Sequence, residues 1–260
     1  CAMDIAKTLK QHEQKIYYHL RKMRDAGIVR QVGTEPRYGM TAKMFELVSP
    51  VIATKLSEDG YTIKGTPQIV NPDIEKFLDP FVKDGKLNAK IIMGEPYSHG
   101  PYDASSTEGP HAFDFGVFLG RFLNAVNFPT YILDTDAKEN DLKNNLILFG
   151  NTRTNIVINK INDSLPIYFD PKSGALIDKN ANTKYDDPRV GVIGKFHSPF
   201  NKNRRVLLFG GVRTRGVQAA IIAFTRYFNT VIKDSDPFFK IVKGFDKDGD
   251  KVIDSIEEVE

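Results

Sequence analysis

The stretch LILFGNTRTNIVINKI, residues 146–161, and its echo VLLFGGVRTRGVQAAI, residues 206–221, decide the fold class. Each opens on an apolar run of strand length, passes through Phe-Gly and a short step to Arg-Thr, and continues with apolar residues at helical spacing. A short apolar run closed by a turn reads as a buried strand, and the change of period after it reads as a helix. Strand, turn and helix repeated in one chain form the unit of an α/β sheet with parallel members.

The same alternation extends outward from these segments. Residues 91–93 and 130–133 read as strands, with a helix over 110–126 carrying Phe113, Val117, Phe118 and Phe122. A helix is expected over 152–162, and short strands over 167–169, 175–177 and 191–196. A helix over 214–232, with Val217, Ile221, Ile222, Phe224 and Phe228, is too apolar to lie exposed and is expected to pack on the sheet. A strand pair around 238–256 closes an open α/β sheet domain spanning 89–260. Residues 50–88 read as a connector holding one helix, 73–83, anchored by Phe77 and Phe81.

Both echo segments set helix N-terminal amides beside the carboxyl end of a strand, a geometry that favours an anion. Arg153, Arg213 and Arg215 add cationic donors there. The Gly and Lys spacings of a P-loop or a dinucleotide fingerprint are absent. The competing reading is that the glycines only permit tight strand-to-helix turns. The segment GEPYSHGPYDASSTEGPHAFDFG, residues 94–116, is unusually polar for its position between a strand and a helix. Its Glu95, His99, Asp103, Glu108, His111 and Asp114 are candidates to line a ligand or metal site. Loops of this composition also use Asp and Glu only for turns and caps.

Near the C-terminus, Asp246, Asp248, Asp250, Asp254 and Glu257 occupy positions 1, 3, 5, 9 and 12 of an EF-hand-like loop, with Ile253 at position 8. Hard oxygen ligands at that spacing wrap Ca²⁺, the one candidate cofactor. Position 6 is Lys251 rather than Gly, and β-type sequence flanks the loop. The alternative is a hairpin whose Asp-Gly forms the tight turn.

The N-terminal segment has a different organisation. Ile5, Ala6 and Leu9 lie at helical spacing, a polar step follows at 11–13, and Ile16, Leu20 and Met23 mark a second helix that Gly27 ends. Two short helices joined by such a step match the helix-turn-helix plan. A strand over 28–32, a turn at 33–36 and a returning strand to residue 47 then make a wing. Residues 1–49 hold nine Lys or Arg against five Asp or Glu, a net +4, while the rest of the chain nets −1. The basic excess that phosphate binding requires is therefore confined to this segment.

The phrase LRKMRDAGIVRQVG…RYGMTAKMFELV, within residues 2–49, resembles the ArsR-like winged-helix regulators, especially their archaeal members. That resemblance implies a dimer on double-stranded DNA, with the second helix leading into the major groove. His12, Gln14, Lys15, Tyr18 and His19 then lie near its start or on its exposed face. Gln14 is suited to adenine, and Lys15 to guanine or phosphate. Arg21, Lys22 and Arg24 suit backbone phosphates, and Arg37 sits on the wing. Tyr17 and His19 have an equal claim to packing roles. A winged helix normally carries one more helix in front, and that helix is expected to lie outside this chain or to be replaced by a partner.

The echo segments, with GVIGKFHSPFNKNRRVLLFGG and VKGFDKDGDKVIDSIEEV, resemble the C-terminal α/β domain of archaeal S-layer-type proteins over roughly residues 90–260. This implies a fold more than an activity. The combined expectation is a regulator whose C-terminal domain senses a small or anionic ligand or pairs protomers. The rival is a structural or surface-layer assembly protein without DNA-binding activity.

Composition bounds these readings. No run approaches the roughly 20 apolar residues of a membrane helix, and no secretory signal is visible. One cysteine, Cys1, excludes an intrachain disulfide framework and a cysteine zinc cluster. A cytoplasmic location is expected from these features. No nucleophile–base pair or cofactor loop marks an enzyme.

Overall fold

The computed structural model describes residues 1–37, 39–49, 71–233, 235–250 and 252–258. Residues 50–70 of the expected connector, and Lys251, lie outside the described residues. The chain divides into two compact units, residues 1–64 and 65–260.

In the first unit, α1 (Ala2–Leu9) and α2 (Glu13–Asp25) precede the antiparallel strands β1 (Val29–Arg37) and β2 (Met40–Leu47). Ala2 and Ala6 of α1 pack on Ile16 and Leu20 of α2 and on Val29, a small core edged by Ile5, Tyr17, Met23, Ile28 and Phe45. Helix α2 ends where Gly27 takes φ 73°. There the Gly27 N–H donates to the Arg24 carbonyl at 2.9 Å and the Ile28 N–H to Met23 at 2.8 Å. This paired closure satisfies carbonyls that the last turn would leave orphaned, and it needs a residue free to adopt positive φ. The turn expected at 33–36 lies elsewhere. Those residues continue β1, with a register shift between Gln31 and Gly33, and the chain reverses between Arg37 and Met40, where Gly39 has φ 77°. A two-stranded ribbon has only edge strands, so Pro36 is tolerated within it.

The second unit is built on a seven-stranded mixed sheet. It begins with α3 (Pro72–Leu78) and the short hairpin β3 (Val82–Lys83) and β4 (Lys86–Leu87). The expected helix over 73–83 stops early because Pro80 forces Asp79 into an extended conformation. Then come β5 (Lys90–Met93), α4 (Gly109–Leu119), β6 (Tyr131–Leu133), α5 (Glu139–Leu142), β7 (Leu146–Gly150) and α6 (Ile156–Ile161). A small sheet follows, β8 (Ile167–Phe169), β9 (Leu176–Asp178) and β10 (Thr183–Tyr185). Strands β11 (Val190–Ser198) and β12 (Asn201–Gly211), helices α7 (Thr214–Arg226) and α8 (Phe228–Val231), and strands β13 (Phe238–Phe245) and β14 (Ser255–Glu258) complete it. The main sheet runs β14-β13-β11-β12-β7-β5-β6. Strands β12, β7, β5 and β6 are mutually parallel, and β11, β13 and β14 add antiparallel pairs.

The two echo segments lie side by side. Strands β7 and β12 pair in parallel from Leu146↔Val206 to Gly150↔Gly210, and the Phe149 and Phe209 rings stack at 5.4 Å. Both faces of the sheet are covered. Ile147, Phe149, Leu207 and Phe209 share a core with α3, α4, α7 and α8. Leu146, Leu148, Val206 and Leu208 belong to a second core with α6 and the small sheet. The apolar run 214–232 packs into the first core as expected, broken at Tyr227 into α7 and α8. Its first turn sits directly on the sheet, since a Cβ on Gly216 would lie 2.0 Å from the Val190 carbonyl oxygen. The chain therefore leaves β5 and β12 toward one face and β7 toward the other. Such a divergence opens a crevice at the carboxyl ends of parallel strands, where α/β sheets bind ligands.

Candidate functional site

Three regions bring chemistry-bearing residues together among the described residues. In the first unit, α2 buries Ile16 and Leu20 and exposes Gln14, Lys15, Tyr18, His19, Arg21, Lys22 and Arg24, with His12 exposed at its N-cap. Tyr17 is half-buried on the small core, while His19 is exposed and meets the Tyr18 ring edge-on at 5.4 Å. Several cations are already engaged. Lys15 donates to Gln11 at 3.1 Å, Arg24 pairs with Asp25 at 2.9 Å, and Arg37 reaches Asp4 and Glu35, each at 3.2 Å. Arg21 meets no carboxylate among the described residues.

In the second unit, a crevice of about 340 Å³ lies at the carboxyl ends of β7 and β12. Arg153 and Arg213 line it with Thr107, Glu108, Asn151 and Thr214. Both arginines cross the same turn: a Cβ on Gly174 would lie 2.8 Å from Arg213 Nη1 and 3.7 Å from Arg153 Cδ. Neither guanidinium meets a carboxylate among the described residues, although Arg213 Nη1 donates to the Val212 carbonyl at 2.8 Å. The wall is held by buried polar groups. Asn151 Nδ2 donates to the Gly211 carbonyl at 3.0 Å, and its Oδ1 accepts the Arg153 N–H at 2.9 Å, tying the two echo loops together. Glu108 is buried and accepts from the Ser106 hydroxyl, from the Thr107 N–H at 2.9 Å and from Thr154 Oγ1 at 3.1 Å. Asn155 caps α6 by accepting from the Val157 and Ile158 N–H groups.

Behind this wall, Asp134 at the end of β6 fastens the loop of residues 94–108. Its Oδ1 accepts the Glu95 N–H at 2.9 Å, and its Oδ2 accepts the Ile156 N–H at 2.6 Å. His99 Nε2 lies 2.9 Å from Asp134 Oδ2, and His99 Nδ1 lies 2.8 Å from the Tyr97 carbonyl oxygen. Both ring nitrogens thus face oxygen acceptors, a setting that favours the doubly protonated ring. Burial works against its charge, but the Tyr97 carbonyl and the Asp134 carboxylate outweigh it, and the pKa of His99 is raised. His111, on the first turn of α4, shifts the other way. Burial lowers its pKa, with Asp114 and Glu108 opposing.

Of the residues singled out in the sequence, Arg153, Arg213 and Glu108 line the crevice. Glu95 and His99 form the strap behind it. Asp103, His111 and Arg215 do not line it; Asp103 lies in an exposed turn with φ 45°. Asp134, Asn151, Thr107, Thr154 and Thr214 were not singled out. Only the repeated Arg-Thr step, which sets Thr154 and Thr214 at matching positions after the two echo strands, offered a signal; Asn151 stands opposite Gly211 and had none.

The acidic loop joins β13 to β14. Carboxylate oxygens of Asp246, Asp248 and Asp250 come within 4.8 Å of one another, a group of three among the described residues. Asp254 instead accepts the Lys247 N–H at 3.2 Å, and Glu257 lies on β14 opposite Lys243. The gathered carboxylates also act as turn acceptors, Asp246 for the Gly249 N–H at 2.7 Å and Asp250 for the Val252 N–H at 2.8 Å. Among the described residues, no helix is long and apolar enough to cross a membrane. No protein-family model matches the chain, and a search of curated proteins finds no match.

Proposed function

We propose that this chain is a sequence-specific transcription regulator that binds duplex DNA as a homodimer through α2, its first unit acting as a winged helix-turn-helix. The observation that carries the reading is the open face of α2. Gln14, Lys15, Tyr18, Arg21 and Lys22 are exposed there, opposite the buried Ile16 and Leu20, in the segment that holds the chain's basic surplus. A helix presented this way fits the major groove, and the surplus supplies the phosphate contacts. The β1–β2 hairpin is the wing. The ion pairs of Arg37 are exposed and worth only about 0–1 kcal/mol, so phosphate can displace them. The resemblance to ArsR-like regulators supports the same reading. The second unit serves as the sensing half, its crevice taking a small anion between Arg153 and Arg213.

The test is selection of bound duplexes from a random pool by the intact chain. Two half-sites whose centres lie about 10 base pairs apart, or a multiple of that, are expected. Gln14→Ala should alter the preferred base at one position in each half-site. No enrichment of any sequence would overturn the proposal and favour the assembly reading.

A further inference from the structure

Helix α4, GPHAFDFGVFL, is apolar almost all the way round, with Asp114 its one carboxylate. Ala112, Phe115 and Leu119 fill the first core. On its other side Phe113 is 71% exposed and Val117 61%. A helix apolar on every side is normally covered on every side. The neighbouring loop and edge strand continue the patch: Val126, Phe128 at 85% exposure and Tyr131 at the start of β6. Between them runs a groove of about 590 Å³, floored by Ala112, Gly109 and Gly116 and walled by Met93, Leu123 and Tyr131.

We infer that this face is where a second copy of the chain docks. Three observations select that occupant. The first is area. The exposed parts of Phe113, Phe128 and Tyr131 amount to about two whole aromatic side chains, roughly 300–500 Å²; Val117 and Val126 add to this. One side of a stable dimer needs about 800 Å², of which roughly 65% is apolar in homodimers, or about 520 Å². The patch supplies that apolar core. The second is shape. The Phe113 and Tyr131 rings line the open groove, and Phe128 sits on the loop between Val126 and Thr130, which line it too, so a two-fold axis can seat each copy's ring in the other's groove, the self-complementarity an isologous contact demands. Nothing lies within 4 Å of where a Cβ on Gly116 or Gly120 would be, which leaves room for two α4 helices to approach closely. The third is charge. A two-fold contact sets like charges against each other near its axis, and no Asp, Glu, Lys or Arg lines the groove.

The inference stands on the second unit and does not rest on DNA binding, so its test omits DNA. Light scattering of the intact chain at micromolar concentration should give a dimer. Phe113→Asp should raise the dimer Kd by at least about 30-fold, the loss of a hot-spot residue. Because Phe113 is exposed, the variant should keep the wild-type circular dichroism spectrum, and its melting temperature should match the wild type once both are diluted to monomer. As a second route, Gly116→Cys with Cys1→Ser should oxidise to a covalent dimer. A monomeric wild type, or a Phe113→Asp dimer as tight as wild type together with no Gly116→Cys cross-link, would overturn it.

Discussion

Removing Asp134 should show how much of the second unit hangs on one carboxylate. Asp134 is buried and holds two backbone N–H groups and the His99 ring, whose charged form it favours. In Asp134→Ala the charged ring loses its counter-charge, and the Glu95 and Ile156 amides lose their acceptor. Breaking a buried pair from one side costs about 3–5 kcal/mol. For a unit of this size, 1 kcal/mol corresponds to about 2–4 °C, so the melting temperature should fall by roughly 6–20 °C. The pH dependence carries a second signature. A histidine whose folded pKa is raised contributes stability that is fully present below its unfolded value of about 6.5 and is lost as pH rises through the folded value. The strap therefore holds tightest below about pH 6.5 and weakens on the alkaline side. Calorimetric melts from pH 5.5 to 9 on wild type and His99→Gln isolate that component as the difference between the two curves. A pH-independent difference, or a loss under about 1 kcal/mol in Asp134→Ala, would refute the assignment of a buried imidazolium–carboxylate strap.

Three further outcomes follow from the geometry. Arg21→Ala with Lys22→Ala should weaken binding to every duplex and flatten the salt dependence by up to about 2 units, one per lost phosphate contact, as read by anisotropy titrations across salt; an unchanged slope counts against α2 as the docking helix. Gly216→Ala should destabilise the second unit by about 3 kcal/mol or more in chemical denaturation, because its Cβ would meet backbone 2.0 Å away that no rotamer can relieve. Millimolar calcium should move the melting temperature by less than about 1 °C, since three carboxylates rather than five converge and they already serve the turn; a larger rise, absent in Asp248→Ala, would establish a bound ion.

What the sequence made legible was local. The β7 and β12 segments carry apolar runs buried on both sides, and each side chain's face follows from the two-residue period. The end of α2 was equally plain, because Gly27 satisfies a geometric demand within six residues of chain. Where two positions met the same local demand, the reading slipped. Gly33 and Gly39 both suit a turn, and the register of β1 on β2, with Val29 opposite Leu47, sets the reversal at the second. The Asp134–His99 strap was out of reach for a related reason. Asp134 is one acid among several in LDTDAKEND, and only the parallel pairing of β5 with β6 carries it to a histidine 35 positions earlier.

The α4 helix makes the limit sharper. Its apolar residues read as an ordinary core helix, and periodicity could not divide them, since a run apolar on every side has no preferred face. Only the placement of α7 does so. Phe224 claims the side bearing Phe115 and Phe118, which leaves Phe113 and Val117 exposed on the other side. The surplus of apolar residues in the sequence thus becomes an unmatched surface in the fold. Composition alone would have supported a well-filled core; the fold shows that part of it faces outward, at the edge of the sheet where a second copy can meet it.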